Sequence, residues 1–366
     1  MKPLRILHTE AAVAFGGQER RIFKEMQAMR ARGHCMELLC QPQAQLGQHL
    51  REAGFTVHTL PMGGLGRYLK GVAWTAGLLR RGRYDVVNTH SRIDTLIAGT
   101  AGRIAGVPLI VRTRHLANRA GSMLSYTWLP HRVTTVSDHV RQGLISRGVP
   151  ENHIATIYSP VPLPEPVECS TLRQELGLAA DDVVIGCVAV MRAMKGHIDL
   201  INAIVPLMQA RPKLHMVFVG SGSPTFEQVQ AHIASLGLQD RIHLMGTRHD
   251  VPNLLAGFDL FALATRKEAS GTVFVEAQAA GLPVIGTDVG GVSEMFQDGV
   301  TGILVPLDDQ SALTEALQRL VDDSSLRRQM GRAGLAYCRE SGNFSLEKLA
   351  ERTEECYRRW LDERQR

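Results

Sequence analysis

The sequence predicts an α/β protein built from two parallel sheets. Short apolar runs alternate with helical runs along the chain, and strands this apolar occur in parallel sheets that helices cover on both faces. The chain has 366 residues, which is too long for one ordinary core. The run SPVPLPEPVE (159–168) holds four prolines and predicts an extended linker, because proline blocks both helices and strand pairing. We therefore expect two Rossmann-like domains, residues 1–160 and 161–345.

Each element of the two domains follows from a local pattern. In the first half, apolar runs predict strands at 4–9, 35–40, 56–60, 85–90, 109–115 and 132–137. A helix over 20–33 ends at Gly33, since glycine readily adopts the left-handed conformation that closes a helix. In the second half, the predicted strands are 183–190, 215–220, 242–246, 260–264, 283–287 and 303–306. The charged, amphipathic tail from about Leu346 predicts a last helix.

Composition and charge narrow the class of protein. Residues 1–160 hold 21 Lys or Arg against 9 Asp or Glu, whereas residues 161–366 hold 20 against 27. A basic first half suggests that it faces an anionic partner. We see no nucleic-acid-binding module, and aromatic residues make up only 5% of the chain. No apolar run is long enough to span a membrane, no signal peptide is recognised, and the six scattered cysteines indicate reduced thiols in a cytoplasmic protein.

Candidate binding residues in the first half follow predicted strands, where open α/β sheets bind ligands. Gly16 and Gly17 lie between the first strand and a helix, where they would let backbone approach a ligand, although a plain tight turn explains them equally well. His90 and His115 each end a strand. A lone histidine is more often structural, but two at strand ends favour a site, and the arginines beside His115 would favour an anion nearby.

The second half repeats this arrangement with more charge. Arg192 and Lys195 follow a strand and precede a helix, so they could hold a diphosphate. The alternative is solvated charge in a turn, but cations beside a helix N-terminus cost energy unless an anion binds there. Because the chain has no Asp-x-Asp pair, a metal ion is not implied.

The stretch KEASGTVFVEAQAAGLP (267–283) carries two glutamates around a predicted helix start. Glu268 follows a strand, while Ser270 or Thr272 could cap the helix and leave N–H groups for a phosphate. Glu276, one turn further, could accept hydrogen bonds from a ribose. Alternatively, Glu276 complements the helix dipole and Glu268 is a surface turn residue.

Taken in order, these motifs resemble the family-4 glycosyltransferases of the GT-B fold. The resemblance is strong over about residues 185–310 and looser over the first half. It rests on Arg192 and Lys195, FVGSGS, GTRHDVPNLLAGFDLFALA, the two glutamates, AAGLPVIGTDVGGVSE and DGVTGILV. It implies two Rossmann-like domains facing across a cleft, with a C-terminal helix (about 346–366) that returns to the first domain.

The resemblance also implies a reaction and a set of roles. The enzyme would be a retaining, metal-independent hexosyltransferase that uses a UDP- or GDP-linked sugar as co-substrate and needs no cofactor. The implied catalytic residues are His115, Arg192, Lys195 and Glu268, with Glu268 on the donor sugar. The implied donor-binding residues are Gly16, Gly17, Arg248, Ser270, Gly271, Thr272 and Glu276, with Glu276 on the ribose. Within the family, lipopolysaccharide or exopolysaccharide assembly is the expected setting.

Two departures from the family pattern bear on specificity. Ala269-Ser270-Gly271 stands where Gly-Phe-Gly is usual, so the sugar pocket is expected to differ, and the linker YSPVPLP is unusual at the hinge. Rival hypotheses are a nucleotide-sugar epimerase or a phosphorylase on the same fold, or a non-catalytic, transferase-like partner subunit. The basic stretch 67–84 could lie on an anionic membrane surface as a helix, or could pack its apolar side inward. A lipid-linked acceptor at the inner membrane face is therefore one expectation.

Overall fold

The computed structural model describes residues 2–161, 167 and 169–365. Most of the predicted proline-rich linker, at 162–166 and 168, lies outside these residues. Contacts divide the chain into two compact units: unit 1 comprises Met1–Pro160 and Asn343–Arg366, and unit 2 comprises Val161–Gly342. Each unit is a parallel sheet with helices, which gives the α/β class and the two Rossmann-like units that the sequence predicts.

Among the described residues of unit 1, seven parallel strands form a sheet in the order β3-β2-β1-β4-β5-β6-β7. The strands are β1 (Arg5–Glu10), β2 (Cys35–Cys40), β3 (Thr56–Thr59), β4 (Val86–Thr89), β5 (Leu109–Arg114), β6 (Arg132–Thr135) and β7 (Ile154–Thr156). The helices are α1 (Gly17–Ala31), α2 (Gln45–Glu52), α3 (Leu65–Gly82), α4 (Arg92–Asp94), α5 (Thr100–Ala105) and α6 (Leu124–Thr127), then α7 (Asp138–Ile145); a π-helical turn, Thr95–Gly99, joins α4 to α5. Every residue of β4 and β5 is buried, as expected for central strands covered on both faces.

Unit 2 has six parallel strands among its described residues, in the order β10-β9-β8-β11-β12-β13. The strands are β8 (Val183–Val188), β9 (Leu214–Val219), β10 (Ile242–Leu244), β11 (Leu260–Leu263), β12 (Val284–Thr287) and β13 (Gly302–Val305). The helices are α8 (Leu172–Glu175), α9 (His197–Ala210), α10 (Thr225–Leu236), α11 (Val251–Ala256), α12 (Thr272–Ala279), α13 (Gln310–Asp322) and α14 (Ser324–Ser341). In both sheets the order reverses once, between β1 and β4 and between β8 and β11, and such reversals are where open α/β sheets bind ligands.

The last helix, α15 (Leu346–Gln365), belongs to unit 1 and packs against α1. Its Tyr357 and Trp360 are each 1% exposed and join the same apolar core as Ile22 and Met26 of α1. The hydroxyl of Tyr357 accepts a hydrogen bond from Nδ2 of Asn88 on β4 at 2.9 Å. The C-terminal segment therefore completes the core of unit 1.

The basic stretch 67–84 forms most of α3, and its apolar residues divide between core and surface. Leu78 and Leu79 are buried in unit 1, whereas Leu69 and Trp74 are 65% and 40% exposed. Inward packing thus accounts for one side of the helix only. In the part of the chain that the structure describes, no helix combines the length and apolar character needed to cross a membrane.

Candidate active site

The charged candidates of unit 2 follow neighbouring strands. β8 pairs with β11, and β11 pairs with β12. Arg192 and Lys195 come after β8, Glu268 after β11, and Gly290 after β12. Because parallel strands end at the same edge of a sheet, this topology brings their loops together.

Lys195 and Glu268 contact each other directly. The Nζ atom of Lys195 donates to Oε2 of Glu268, and the two side chains are 21% and 16% exposed. The other carboxylate oxygen of Glu268 accepts the backbone N–H of Ala269 at 3.1 Å. Arg192 is exposed at the start of the same turn. The sequence predicts both members of this ion pair as site residues, but it does not predict that they bind each other.

Backbone contacts hold the turn of Lys195 and the loop of Glu268 in place. The N–H of Arg266 donates to the carbonyl of Met194 at 2.7 Å. Gly196 has a φ of +66°, and a Cβ atom there would lie 1.8 Å from the carbonyl oxygen of Ala264. Gly290 has a φ of +59°, and a Cβ atom there would lie equally close to the carbonyl oxygen of Glu268. Both glycines are needed for these close approaches.

The N-terminus of α12 lies beside Glu268. Gly271 precedes the helix with a φ of +80°, and a Cβ atom there would lie 3.2 Å from Cγ of Glu268. The prediction that Ser270 or Thr272 caps the helix is wrong, because no side chain caps it and Oγ of Ser270 contacts Sδ of Met295 at 3.6 Å. An uncapped helix N-terminus is a suitable binding site for a phosphate.

Two further donor-site candidates of unit 2 stay predictions. Glu276 is half-buried on α12, where no contact tests its expected role on a ribose. Arg248 pairs with Glu175 at 2.8 Å and with Asp250 at 2.7 Å. The hydrogen bond to Asp250, and to a smaller extent the one to Glu175, raises the pKa of Arg248 above its ordinary value. Both partners of Arg248 thus lie outside the set of residues that the sequence predicts for the site.

In unit 1, three buried histidines form a hydrogen-bonded chain across adjacent strands, near their carboxyl ends. The ring of His90, after β4, lies between His8 of β1 and His115, which follows β5. Nδ1 of His8 is 2.8 Å from Nε2 of His90, and Nδ1 of His90 is 2.9 Å from Nε2 of His115. The sequence singles out His90 and His115 but misses His8, whose position within a strand resembles that of a core residue.

Two carboxylates beside this chain are also buried. Asp94 accepts from Oγ1 of Thr9 at 2.7 Å and from the N–H of His90 at 2.9 Å. Glu10, at the end of β1, accepts the N–H of Ala12 at 2.8 Å. Burial is the larger cause that raises the pKa of Glu10, and the nearby charge of Asp94 raises it further. Sequence reasoning missed both carboxylates, although Glu10 directly follows the first predicted strand.

The arginines next to His115 make hydrogen bonds within the protein. Arg112 donates to the carbonyl of Ser91 and to Oγ1 of Thr95. Arg114 donates to the hydroxyl of Tyr126 at 3.0 Å and is buried. Both arginines thus have a structural part, and their expected part in anion binding stays a prediction.

The glycine pair of unit 1 starts α1. The N–H of Gly16 donates to Oε2 of Glu19 at 2.8 Å. A Cβ atom at Gly17 would meet nothing within 4 Å, so the turn leaves open space there. The part of Gly16 and Gly17 in donor binding stays a prediction. Over residues 2–161, 167 and 169–365, no group of three or more His, Cys, Asp or Glu residues could hold a metal ion.

Comparison with known proteins identifies the class to which this fold and these strand-end residues belong. The family model described as Glycosyltransferase Family 4 matches residues 15–164, and the model described as Glycosyl transferases group 1 matches residues 170–336. Between them the two models match most of the chain. The chain belongs to the group 1, family-4 glycosyltransferases of the GT-B fold.

Two relatives of the chain are named for transfer to a diphosphoundecaprenol-linked sugar and for lipopolysaccharide core biosynthesis. The UDP-Gal:alpha-D-GlcNAc-diphosphoundecaprenol alpha-1,3-galactosyltransferase of Escherichia coli is 25% identical over 353 residues, which cover 88% of this chain and 89% of the relative. The lipopolysaccharide core biosynthesis mannosyltransferase LpsB of Rhizobium meliloti is 31% identical over 191 residues, 50% of this chain and 54% of the relative. This second match thus spans about half the length of each protein.

Solved structures show the same fold along nearly the whole chain. A glycosyltransferase from Rickettsia africae superposes with a TM-score of 0.90 at 21% identity, covering 99% of both chains. Anabaena HepE in complex with UDP superposes with a TM-score of 0.84 at 22% identity, covering 96% of this chain and 99% of that one. HepE has also been solved with UDP-glucose.

Proposed function

We propose that this glycosyltransferase is a retaining, metal-independent hexosyltransferase that uses a UDP- or GDP-linked sugar and a glycan or lipid-linked acceptor. One observation carries the donor side of the proposal: the Lys195–Glu268 pair lies beside Gly271, at the end of the neighbouring strands β8 and β11. A cation, a carboxylate and an uncapped helix N-terminus at one edge suit a ligand that has both hydroxyl and phosphate groups.

In this proposal, each group at the edge has one task. Lys195 and Arg192 hold the diphosphate, and the first N–H groups of α12 near Ser270, Gly271 and Thr272 add to the same charge stabilisation. The leaving diphosphate gains negative charge as the bond to the sugar breaks, so these groups bind the transition state more strongly than the donor. This stabilisation would make a metal ion unnecessary.

The remaining residues would position the sugar and nucleoside. Glu268 accepts hydrogen bonds from donor sugar hydroxyls, and Glu276 accepts from the ribose. The incoming acceptor hydroxyl attacks from the face that the diphosphate leaves, and a departing phosphate oxygen takes its proton. The anomeric configuration is then retained, which nuclear magnetic resonance (NMR) of the product would show directly.

The proposal for the acceptor rests on the names of two relatives and on the exposed basic and apolar residues of unit 1. The two relatives described above are named for transfer to a diphosphoundecaprenol-linked sugar and for lipopolysaccharide core synthesis. We therefore place this protein in lipopolysaccharide or exopolysaccharide assembly. The basic residues of unit 1 and the exposed Leu69 and Trp74 of α3 support a cytoplasmic location at the inner membrane face.

This location predicts salt-dependent membrane binding. The full chain should sediment with vesicles of an anionic phospholipid at low salt and be released at about 0.5 M salt, because salt screens exposed charges. A Leu69→Ala, Trp74→Ala double variant should bind less. Equal partitioning of the wild type at both salt concentrations would argue against the membrane location.

The donor is best identified by thermal stability in the presence of nucleotide sugars. The correct donor at 100 times its Kd should stabilise the protein by about 2.7 kcal/mol, since it binds only the folded state. Arg192→Ala should remove most of the shift, and Lys213→Ala, at an exposed lysine paired with Asp181, should keep it. Absence of a shift with every UDP- and GDP-linked sugar would contradict the proposal. Conversion of the donor without an acceptor would instead favour an epimerase.

A further inference from the structure

The chain of His8, His90 and His115 ends on a buried ion pair of α1. Glu25 accepts from Nη1 of Arg21 through Oε2 at 2.7 Å, and both side chains are almost fully buried. The other oxygen of Glu25 lies 4.0 Å from Nε2 of His8. A continuous row of polar groups thus runs from α1, across β1 and β4, to the residue after β5.

Burial of all three imidazoles favours their neutral form. Burial lowers the pKa of His8, and it lowers the pKa of His90 and of His115 well below the ordinary value. The charges of Arg21 and Arg112 act on His90 and His115 in the same direction. A neutral imidazole carries one N–H and one bare nitrogen. Two directions of hydrogen bonding are therefore available to the chain, and each fixes all three tautomers.

The carboxylate of Glu25 distinguishes these two directions. At 4.0 Å it is too far for a direct hydrogen bond to His8. Its charge nevertheless acts strongly, because both groups are buried and the local dielectric constant is low. A proton on Nε2 of His8 points a positive N–H at the carboxylate, whereas a bare Nε2 points a lone pair at it. The first arrangement is favoured.

We propose that Glu25 sets the direction of this chain and so leaves Nδ1 of His115 as a hydrogen-bond acceptor. With the proton on Nε2 of His8, Nδ1 of His8 accepts from Nε2–H of His90, whose Nδ1 accepts from Nε2–H of His115. The free acceptor suits a hydroxyl group. That it receives a sugar hydroxyl rests on the proposed function, whereas the direction of the chain does not. Glu25 is thus a positioning residue that acts through two histidines.

The substitution Glu25→Gln tests the proposal because it should reverse the direction of hydrogen bonding along the three histidines. The amide oxygen of Gln would keep the hydrogen bond from Arg21, and its NH₂ group would face Nε2 of His8. The positive N–H of the amide, at about the distance of the present oxygen, would favour a lone pair on Nε2, so we expect the proton to move to Nδ1 in His8, and His90 and His115 to follow. The expected result is a change from Nε2–H to Nδ1–H in all three rings.

Long-range ¹H–¹⁵N NMR of the ¹⁵N-histidine-labelled full chain reports these tautomers without any substrate. His34 and His131 are internal controls, because their Nδ1 atoms accept backbone N–H groups of Leu4 and Ile110 at 3.1 and 3.0 Å. Both should keep Nε2–H in the wild type and in the variant. Glu25→Asp retains the charge and should retain the wild-type tautomers.

The outcome is decided by the wild-type spectrum even where a variant fails to fold. Nε2–H in His8, His90 and His115 supports the proposal, and Nδ1–H in His115 of the wild type overturns it. A folded Glu25→Gln variant with unchanged tautomers also overturns it. Since no donor or acceptor is present, failure of the proposed function would leave these spectra unchanged, and the two failures are distinguishable.

Discussion

Replacing Lys195 with alanine should lower the turnover of glycosyl transfer by about 10²–10³-fold, the usual loss when one preorganised donor to a developing negative charge is removed. Lys195 lies next to Glu268 and is 21% exposed, so it is shielded from water but open to a ligand. Most of the loss should appear in kcat, because the charge on the leaving diphosphate develops in the transition state. Initial rates with the donor found by thermal stability provide the measurement.

Lys213→Ala is the matched control for this prediction. Like Lys195, Lys213 pairs with a carboxylate of unit 2, that of Asp181, but it is 62% exposed and comes just before β9. Surface ion pairs of this kind contribute little to stability, and the control should keep wild-type turnover. Equal rates for Lys195→Ala and the wild type would refute the assignment of Lys195 to the leaving group.

Gly196→Ala should destabilise the protein far more than Gly237→Ala, although the two glycines have almost the same backbone angles. Gly196 has φ and ψ of +66° and +29°, and Gly237 has +65° and +31°. Alanine at either site should cost about 1–2 kcal/mol for the left-handed conformation. Only at Gly196 would the new Cβ atom collide with a carbonyl oxygen, that of Ala264.

The collision should add about 1–3 kcal/mol, the usual cost of overpacking. The measurement is the urea midpoint of unfolding, followed by circular dichroism, for the two variants and the wild type. Because Lys195 directly precedes Gly196, the same variant should also lose turnover. Equal midpoints for Gly196→Ala and Gly237→Ala would show that the close approach to Ala264 has no energetic weight.

The sequence predicts the sheets well because strands buried on both faces consist of consecutive apolar residues, which are recognisable in the sequence. The run predicted at 35–40 is strand Cys35–Cys40, and the run predicted at 56–60 is strand Thr56–Thr59. Both domains are found as separate parallel sheets for the same reason. The proline-rich run predicts a boundary after residue 160, and contacts divide the chain at the same place. The second boundary follows residue 342 rather than 345, because Asn343–Arg366 contact unit 1.

The candidate site is predicted residue by residue but not as an arrangement. Lys195 and Glu268 stand out because each charge follows an apolar strand, yet their contact depends on β8 pairing with β11. Ser270 has the ordinary character of a helix cap, but Gly271 occupies the N-cap position and the hydroxyl of Ser270 contacts Met295 instead.

The buried charges of unit 1 are harder to read from the sequence. Arg21 and Glu25 lie four residues apart on α1, a spacing that is typical of a solvent-exposed ion pair. Their burial depends on β1, whose His8 lies 4.0 Å from Glu25, and on α15, which packs against α1. His8 has the same difficulty, because a polar residue inside a strand indicates no partner by itself.

The return of α15 to unit 1 also constrains how the protein is made on the ribosome. The residues of unit 2 form one continuous segment, 161–342, whereas Tyr357 and Trp360 reach the core of unit 1 from beyond it. Unit 2 is therefore synthesised in full before unit 1 can close its core, although unit 1 begins first. The first 160 residues must wait during translation with the surface of α1 that α15 covers still open to solvent and to chaperones.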